Sequence, residues 1–262
     1  MSRESRKAED AKAELAKAEL AKAGVAKAGG AGITLLALDA AGGSCSVALW
    51  CEGRVVARRF SAMARGQSER LVPMIAEVMA DWGGGFAELD ALAVTTGPGG
   101  FTGVRIGLAT ARGLALARKL PLVGVSSFEV AAAAATAEER AGRRVLAVLD
   151  SKRNEVFAQL FDAELAELGE PMELAVPGLA EALPPGPLVV TGDAAASAAE
   201  ALRAAGRSEV MLAAAAGPAD AALLAGRAAL RDPATAGPAR PVYLRAPDVT
   251  PPRVNPCKAR GR

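Results

Sequence analysis

The sequence predicts an α/β protein built from two similar lobes with a cleft between them. Two observations predict it. The segment LLALD (Leu35–Asp39) has a counterpart in LAVLD (Leu146–Asp150), and each ends in aspartate. Each is also followed by the same series of elements: hairpin, third strand, helix, strand, glycine turn, helix. A repeated unit of this kind builds similar lobes. A length of 262 residues suits one large domain or two lobes.

The elements follow from local pattern. Ile33–Asp39 is an apolar strand and Cys45–Trp50 its hairpin partner. Glu52-Gly53 is a tight turn into a third strand, Arg54–Phe60. A helix follows to Ala80, with Ser68 as the N-cap residue and Glu69 in the first turn. Ala91–Thr95 is a strand, and a glycine-rich loop, Gly97–Thr102, leads into a helix over Val104–Arg118. Leu122–Val125 and a helix over Phe128–Thr136 complete the first plan. The second plan has strands at Arg144–Leu149, Glu155–Phe161, Met172–Val176 and Leu188–Thr191. Helices are expected at Ala194–Ala205 and Ala219–Arg231.

Residues 11–30 repeat a five-residue Ala/Lys-rich unit with no continuous apolar face, so 1–32 is expected to be a disordered extension. The lobes are then expected at 33–123 and 124–245, with a basic, proline-containing tail at 246–262. Residues 1–32 hold seven basic and five acidic residues, which accounts for the whole net charge of +2. The body is neutral, and the basic run Arg253, Lys258, Arg260 and Arg262 reads as a solvated tail. Three cysteines, Cys45, Cys51 and Cys257, without a C-x-x-C pair suggest neither a disulfide framework nor a zinc knuckle. No apolar run approaches transmembrane length and no signal-peptide core is evident, so a cytoplasmic location is expected.

The chain contains no histidine. That removes Ser-His-Asp and Cys-His nucleophile systems, H-E-x-x-H zinc sites and imidazole acid/base chemistry. The loop TTGPGGFTGVRIG (Thr95–Gly107) lies between a strand and a helix. That context suits either an anion held by free N–H groups or a tight backbone crossing. It is neither a Walker loop, for want of the lysine, nor a Rossmann fingerprint, because Thr102 occupies a glycine position. Asp39 and Asp150 close matching strands near the expected cleft, either as turn acceptors or as functional acids. In the first long helix, Leu71, Val72, Met74, Ile75, Val78 and Met79 cover more than one core-facing stripe. In the second, Gly103, Gly107, Ala111 and Ala115 form a small-residue ridge. Helices this apolar are either buried in a large domain or shared with a partner.

From Gly97 to Glu129 the chain reads GPGGFTGVRIGLATARGLALARKLPLVGVSSFE, which closely resembles the bacterial TsaB (YeaZ) family. The resemblance extends through LLALDAAGGSCSVALW (Leu35–Trp50), QSERLVPMIAEVM (Gln67–Met79), RVLAVLDSKRNEVFAQLF (Arg144–Phe161) and YLRAPD (Tyr243–Asp248). It implies a duplicated actin-like (ASKHA, ribonuclease-H-like) fold. It further implies a non-catalytic scaffold that pairs with a TsaD-type subunit, with a TsaE-type ATPase. Together these N6-threonylcarbamoylate the adenosine beside the anticodon of tRNAs reading codons that begin with A. In isolation such a chain is expected to pair with itself. The resemblance places the partner interface on the two early helices, at Leu71, Met74, Ile75, Val78, Val104, Gly107 and Ala111. No cofactor, metal or catalytic residue is expected of the chain itself, with ATP or ADP in the complex as an open alternative. The rival expectation is an actin-like ATPase or phosphotransferase that contacts nucleotide through Asp39, Gly97, Gly99 and Gly100. The chain departs from many relatives at Gln67-Ser68, where they carry a histidine, and in its N-terminal extension.

Overall fold

The computed structural model describes residues 32–245. The expected extension (except Gly32), the basic tail, Cys257 and the end of the YLRAPD motif lie outside the described residues.

The first sheet comprises β1 (Leu35–Asp39), β2 (Ser44–Cys51), β3 (Arg54–Ala62), β4 (Ala91–Thr95) and β5 (Leu122–Val125), in the order β3-β2-β1-β4-β5. Hairpins join β1, β2 and β3 antiparallel, whereas β1, β4 and β5 are parallel. Parallel neighbours need a crossover, and helices supply it. These are α1 (Gln67–Trp82) before β4 and α2 (Phe101–Arg118) before β5.

The second sheet has β6 (Arg144–Asp150), β7 (Glu155–Phe161), β8 (Met172–Ala175), β9 (Leu188–Thr191) and β10 (Val210–Leu212). Its order, β10-β9-β6-β7-β8, repeats the first sheet strand for strand. The duplication extends to detail. Gly97 and Gly192 follow β4 and β9, and both adopt a left-handed backbone (φ 98° and 105°). Each is pressed against main chain: a Cβ on Gly97 would lie 2.7 Å from the Val242 carbonyl oxygen, and one on Gly192 3.1 Å from Val148 N. Only glycine tolerates both constraints.

Two short helices, α3 (Ser127–Ala132) and α4 (Ala137–Arg140), follow β5. The sequence suggests one helix over Phe128–Thr136. The chain instead breaks there, because Ser126 and Thr136 each build their own capping box, with Glu129 and Glu139. In the second half α5 (Leu179–Ala182) and α6 (Ala195–Ala204) cover one face of the second sheet.

Strand alternation splits the first sheet between two cores. Leu36, Leu38, Val47 and Val94 face α1 and α2. Leu35, Ala37, Ala48 and Ala93 face the last helix, α7 (Ala221–Ala229). This last helix falls within the stretch expected as the second lobe, 124–245, and lies on the first sheet. Ala221, Leu224, Ala225 and Ala228 pack on β1 and β2, so α7 returns to cover the first sheet. Alanines at this contact let the helix approach the strands closely. Asp220 fixes the return, its Oδ1 accepting from Ala222 N (2.9 Å) and from Arg58 Nε on β3 (3.0 Å).

Candidate functional site

The loop between β4 and α2 is packed onto the turn after β1. Gly100 N donates to the Ala41 carbonyl at 2.7 Å. A Cβ on Gly99 would lie 3.0 Å from Ala41 C, and one on Gly103 3.2 Å from Ala40 C, with the carbonyl oxygens closer still. Gly97 O accepts from Ser127 N at 2.8 Å, and Thr96 O accepts from Val242 N at 2.8 Å. Gly97, Gly99 and Gly103 thus make room for backbone crossings, while Gly100 is less confined, with only the Ala41 oxygen within 4 Å.

Asp39, opposite Ser46 in the hairpin, is wholly buried. Its Oδ2 and the nearby Thr95 Oγ1 have no well-formed hydrogen bond. Burial pushes the Asp39 carboxyl up to about 7, against the lowering effect of the Thr95 hydroxyl and the Ala41 N–H, with Asp220 and Asp193 adding repulsion. Ser46 Oγ accepts from Ala221 N (2.9 Å), and Ser44 Oγ donates to Ala219 O (2.9 Å), so the start of α7 closes over this end of the hairpin. Asp150, the counterpart of Asp39, lies nearer solvent. It accepts from Lys152 N and Nζ (2.7 Å each), and its own N–H donates to Asp193 Oδ1 (2.8 Å). Asp193 is raised by burial. The two aspartates therefore differ: one is sealed inside the fold, and the other closes its own turn. Among the described residues no group of three His, Cys, Asp or Glu could hold a metal ion.

The expected interface residues are not on the surface. Leu71, Met74, Ile75, Val78, Val104 and Ala111 are each less than 5% exposed, and Gly107 is buried with them. All except Gly107 belong to the core beneath α1 and α2, where they pack on Leu38, Val47 and Val94; a Cβ on Gly107 would meet Val94 Cγ2 at 3.6 Å. Strands of the first sheet occupy that stripe of the two helices. The outer faces carry other apolar residues. Val72 is 59% exposed and Leu116 82% exposed, and Pro73, Ala76, Ala80, Ala109, Gly113 and Ala117 are exposed with them. On α1 the exposed set falls at 72, 73, 76 and 80, the spacing of one helical face.

A second exposed group joins distant segments. The Phe101 and Tyr243 rings lie 5.5 Å apart, and the Arg105 guanidinium carbon is 3.3 Å from the Phe101 centroid. Phe101 is 39% and Tyr243 37% exposed. The sequence carries one signal for this group, Phe101 and Arg105 one turn apart at the start of α2. An open cleft of about 540 Å³ lies close by, between the strand ends and residues 231–240, lined by Thr96, Gly124, Arg231 and Arg240 among others.

Comparison with known proteins accounts for this architecture. A family model described as "TsaD: tRNA N6-adenosine threonylcarbamoyltransferase" matches residues 61–217. The "tRNA threonylcarbamoyladenosine biosynthesis protein TsaB" of Escherichia coli (strain K12) is 42% identical over 123 residues, 47% of this chain and 52% of that protein. The protein of the same name from Bacillus subtilis (strain 168) is 30% identical over 133 residues, 49% of this chain and 55% of that protein. The chain thus spans about half the length of the curated relatives it matches. The solved structure "YeaZ from Pseudomonas aeruginosa" superposes with a TM-score of 0.67 at 29% identity, over 81% of this chain and 100% of that one. With its duplicated actin-like sheets and a family model covering more than half of its length, the chain belongs to the tRNA N6-adenosine threonylcarbamoyltransferase family, on its TsaB (YeaZ) side.

Proposed function

We propose that this chain is a non-catalytic scaffold in the formation of N6-threonylcarbamoyladenosine in tRNA. In this reading it pairs with a TsaD-type subunit, and a TsaE-type ATPase serves the pair in the cytoplasm. The observation that carries it is the apolar outer face of α1 and α2. Val72, Ala76, Ala80, Ala109, Gly113 and Leu116 form an exposed surface of mostly small side chains. Small residues let a partner's helices approach closely, and an exposed apolar surface gains by being covered. When the chain is alone, the same face is available to a second copy. Two further points support the reading. The chain has no histidine for acid/base or metal chemistry, and Gly97 and Gly99 are taken up by backbone crossings rather than open to a phosphate.

The test mixes the purified chain with a TsaD-type subunit and a TsaE-type ATPase and measures association and tRNA modification. Modification is expected only when the chain is present. Val72→Arg and Leu116→Arg should each weaken association at least tenfold without unfolding the chain. Full modification in the absence of the chain, or unchanged association for both variants, would overturn the proposal.

A further inference from the structure

We propose that one edge of α2 contacts RNA, its cations meeting phosphates and its aromatic pair meeting an unpaired base. This deepens, and rests on, the tRNA reading above. α2 has no Asp or Glu in its 18 residues, whereas Arg105, Arg112 and the C-cap residue Lys119 recur every seven residues. Seven residues make almost two helical turns, so the three cations stand on one edge, about 10 Å apart along the axis. The segment at 239–243 runs beside that edge. Arg112 Nη2 donates to Ala239 O (2.6 Å), and Tyr243 reaches Phe101. Arg240, exposed on that segment, is a further cation.

Among the described residues, Arg105, Arg112, Lys119 and Arg240 have no carboxylate within ion-pair distance. Several arginines elsewhere are paired, Arg58 with Asp220, Arg59 and Arg70 with Glu77, Arg227 and Arg231 with Glu129, and Arg245 with Glu155. Others, such as Arg54 and Arg144, have no carboxylate partner among the described residues but stand in no such row. A row of unpaired cations on a body that is neutral overall complements a polyanion. The rings at the head of the row favour nucleic acid over a simple anion. A guanidinium stacked on Phe101, with half-exposed Tyr243 alongside, offers flat surfaces of the kind on which unpaired bases stack.

The experiment follows the fluorescence anisotropy of a labelled anticodon stem-loop RNA titrated with the full chain, alone and with its TsaD-type subunit, across a salt series. Arg105→Glu and Lys119→Glu should each weaken RNA binding about tenfold at low salt and lower the salt slope by about one. Tyr243→Ala should weaken binding about fivefold or more with the slope unchanged. Arg54→Glu, on the β2–β3 hairpin, should change neither. RNA affinity unchanged in all three edge variants would overturn the inference. So would variants that weaken only association with the TsaD-type subunit, which would make the edge a protein contact. If RNA binding is unaffected while modification still requires the chain, this inference falls and the scaffold reading stands. If the chain is dispensable for modification yet Arg105→Glu abolishes RNA binding, the scaffold reading falls and the edge stands.

Discussion

Gly103 in α2 sits directly against the Ala40 carbonyl at the end of β1, with no space for a side chain between helix and turn. The first turn of α2 and the β1–β2 turn therefore pack main chain on main chain. Gly103→Ala should destabilise the chain by about 1–3 kcal/mol, because a backbone must move to admit one methyl group. Gly113, in the same helix, has nothing within 4 Å of the place a methyl group would take, so Gly113→Ala should instead stabilise the isolated chain by about 0.5–1 kcal/mol. Urea denaturation of the two variants checks the contrast in sign.

The buried Asp39 carboxyl gives stability a pH dependence. Its native pKa is about 7 and its ordinary value 3.8, so between these the native state holds more protons than the unfolded chain. The favourable contribution is complete below about 4, falls as pH rises towards 7, and levels off above it. The gap sets a ceiling of about 4 kcal/mol. Asp39→Asn should flatten the profile and be more stable than the parent at pH 8, with little difference at pH 4. Equal slopes of unfolding free energy against pH in the two proteins would show that Asp39 does not titrate in this range.

Asp220 combines two tasks, capping α7 and pairing with Arg58. Asp220→Ala should cost about 1–3 kcal/mol, since it removes a cap and leaves the half-buried Arg58 without its carboxylate. Asp220→Asn should retain most of the cap and lose the ion pair. Thermal unfolding is expected to rank the parent highest and the alanine variant lowest.

The two faces of α1 give opposite outcomes. Leu71→Ala should cost about 2–5 kcal/mol of stability through the cavity it leaves, because Leu71 is fully buried. Val72→Arg, one residue along and exposed, should leave denaturation within about 0.5 kcal/mol of the parent. Size-exclusion chromatography with light scattering should then show the loss of self-association only for Val72→Arg.

The legible parts of this fold are those set by short-range pattern. Strands β4, β5, β7 and β9 fall at the residues that alternation and turn signals mark, and the LLALD/LAVLD repeat marks the central strand of each sheet. The sequence marks both early helices as apolar beyond one stripe, but not which stripe the strands claim. Leu71 and Val72 are equally apolar, so only the sheet beneath decides between them. Ser68 is a good capping residue by type, yet α1 starts at Gln67 after Gly66 in a left-handed conformation. β10 escapes the sequence pattern because three residues, Val210–Leu212, carry too little periodicity to register. The pairing of Phe101 with Tyr243 and the return of α7 to the first sheet join residues far apart in the chain, which no local window reports.

The return of α7 has a consequence for how the chain is made. The first sheet leaves the ribosome early, but one of its apolar faces is covered only when residues 221–229 emerge. Throughout synthesis of the intervening hundred or so residues, Leu35, Ala37 and Ala48 have no permanent cover. A nascent chain arrested before Ala221 should therefore bind chaperones and resist release as a folded body, however complete its first sheet.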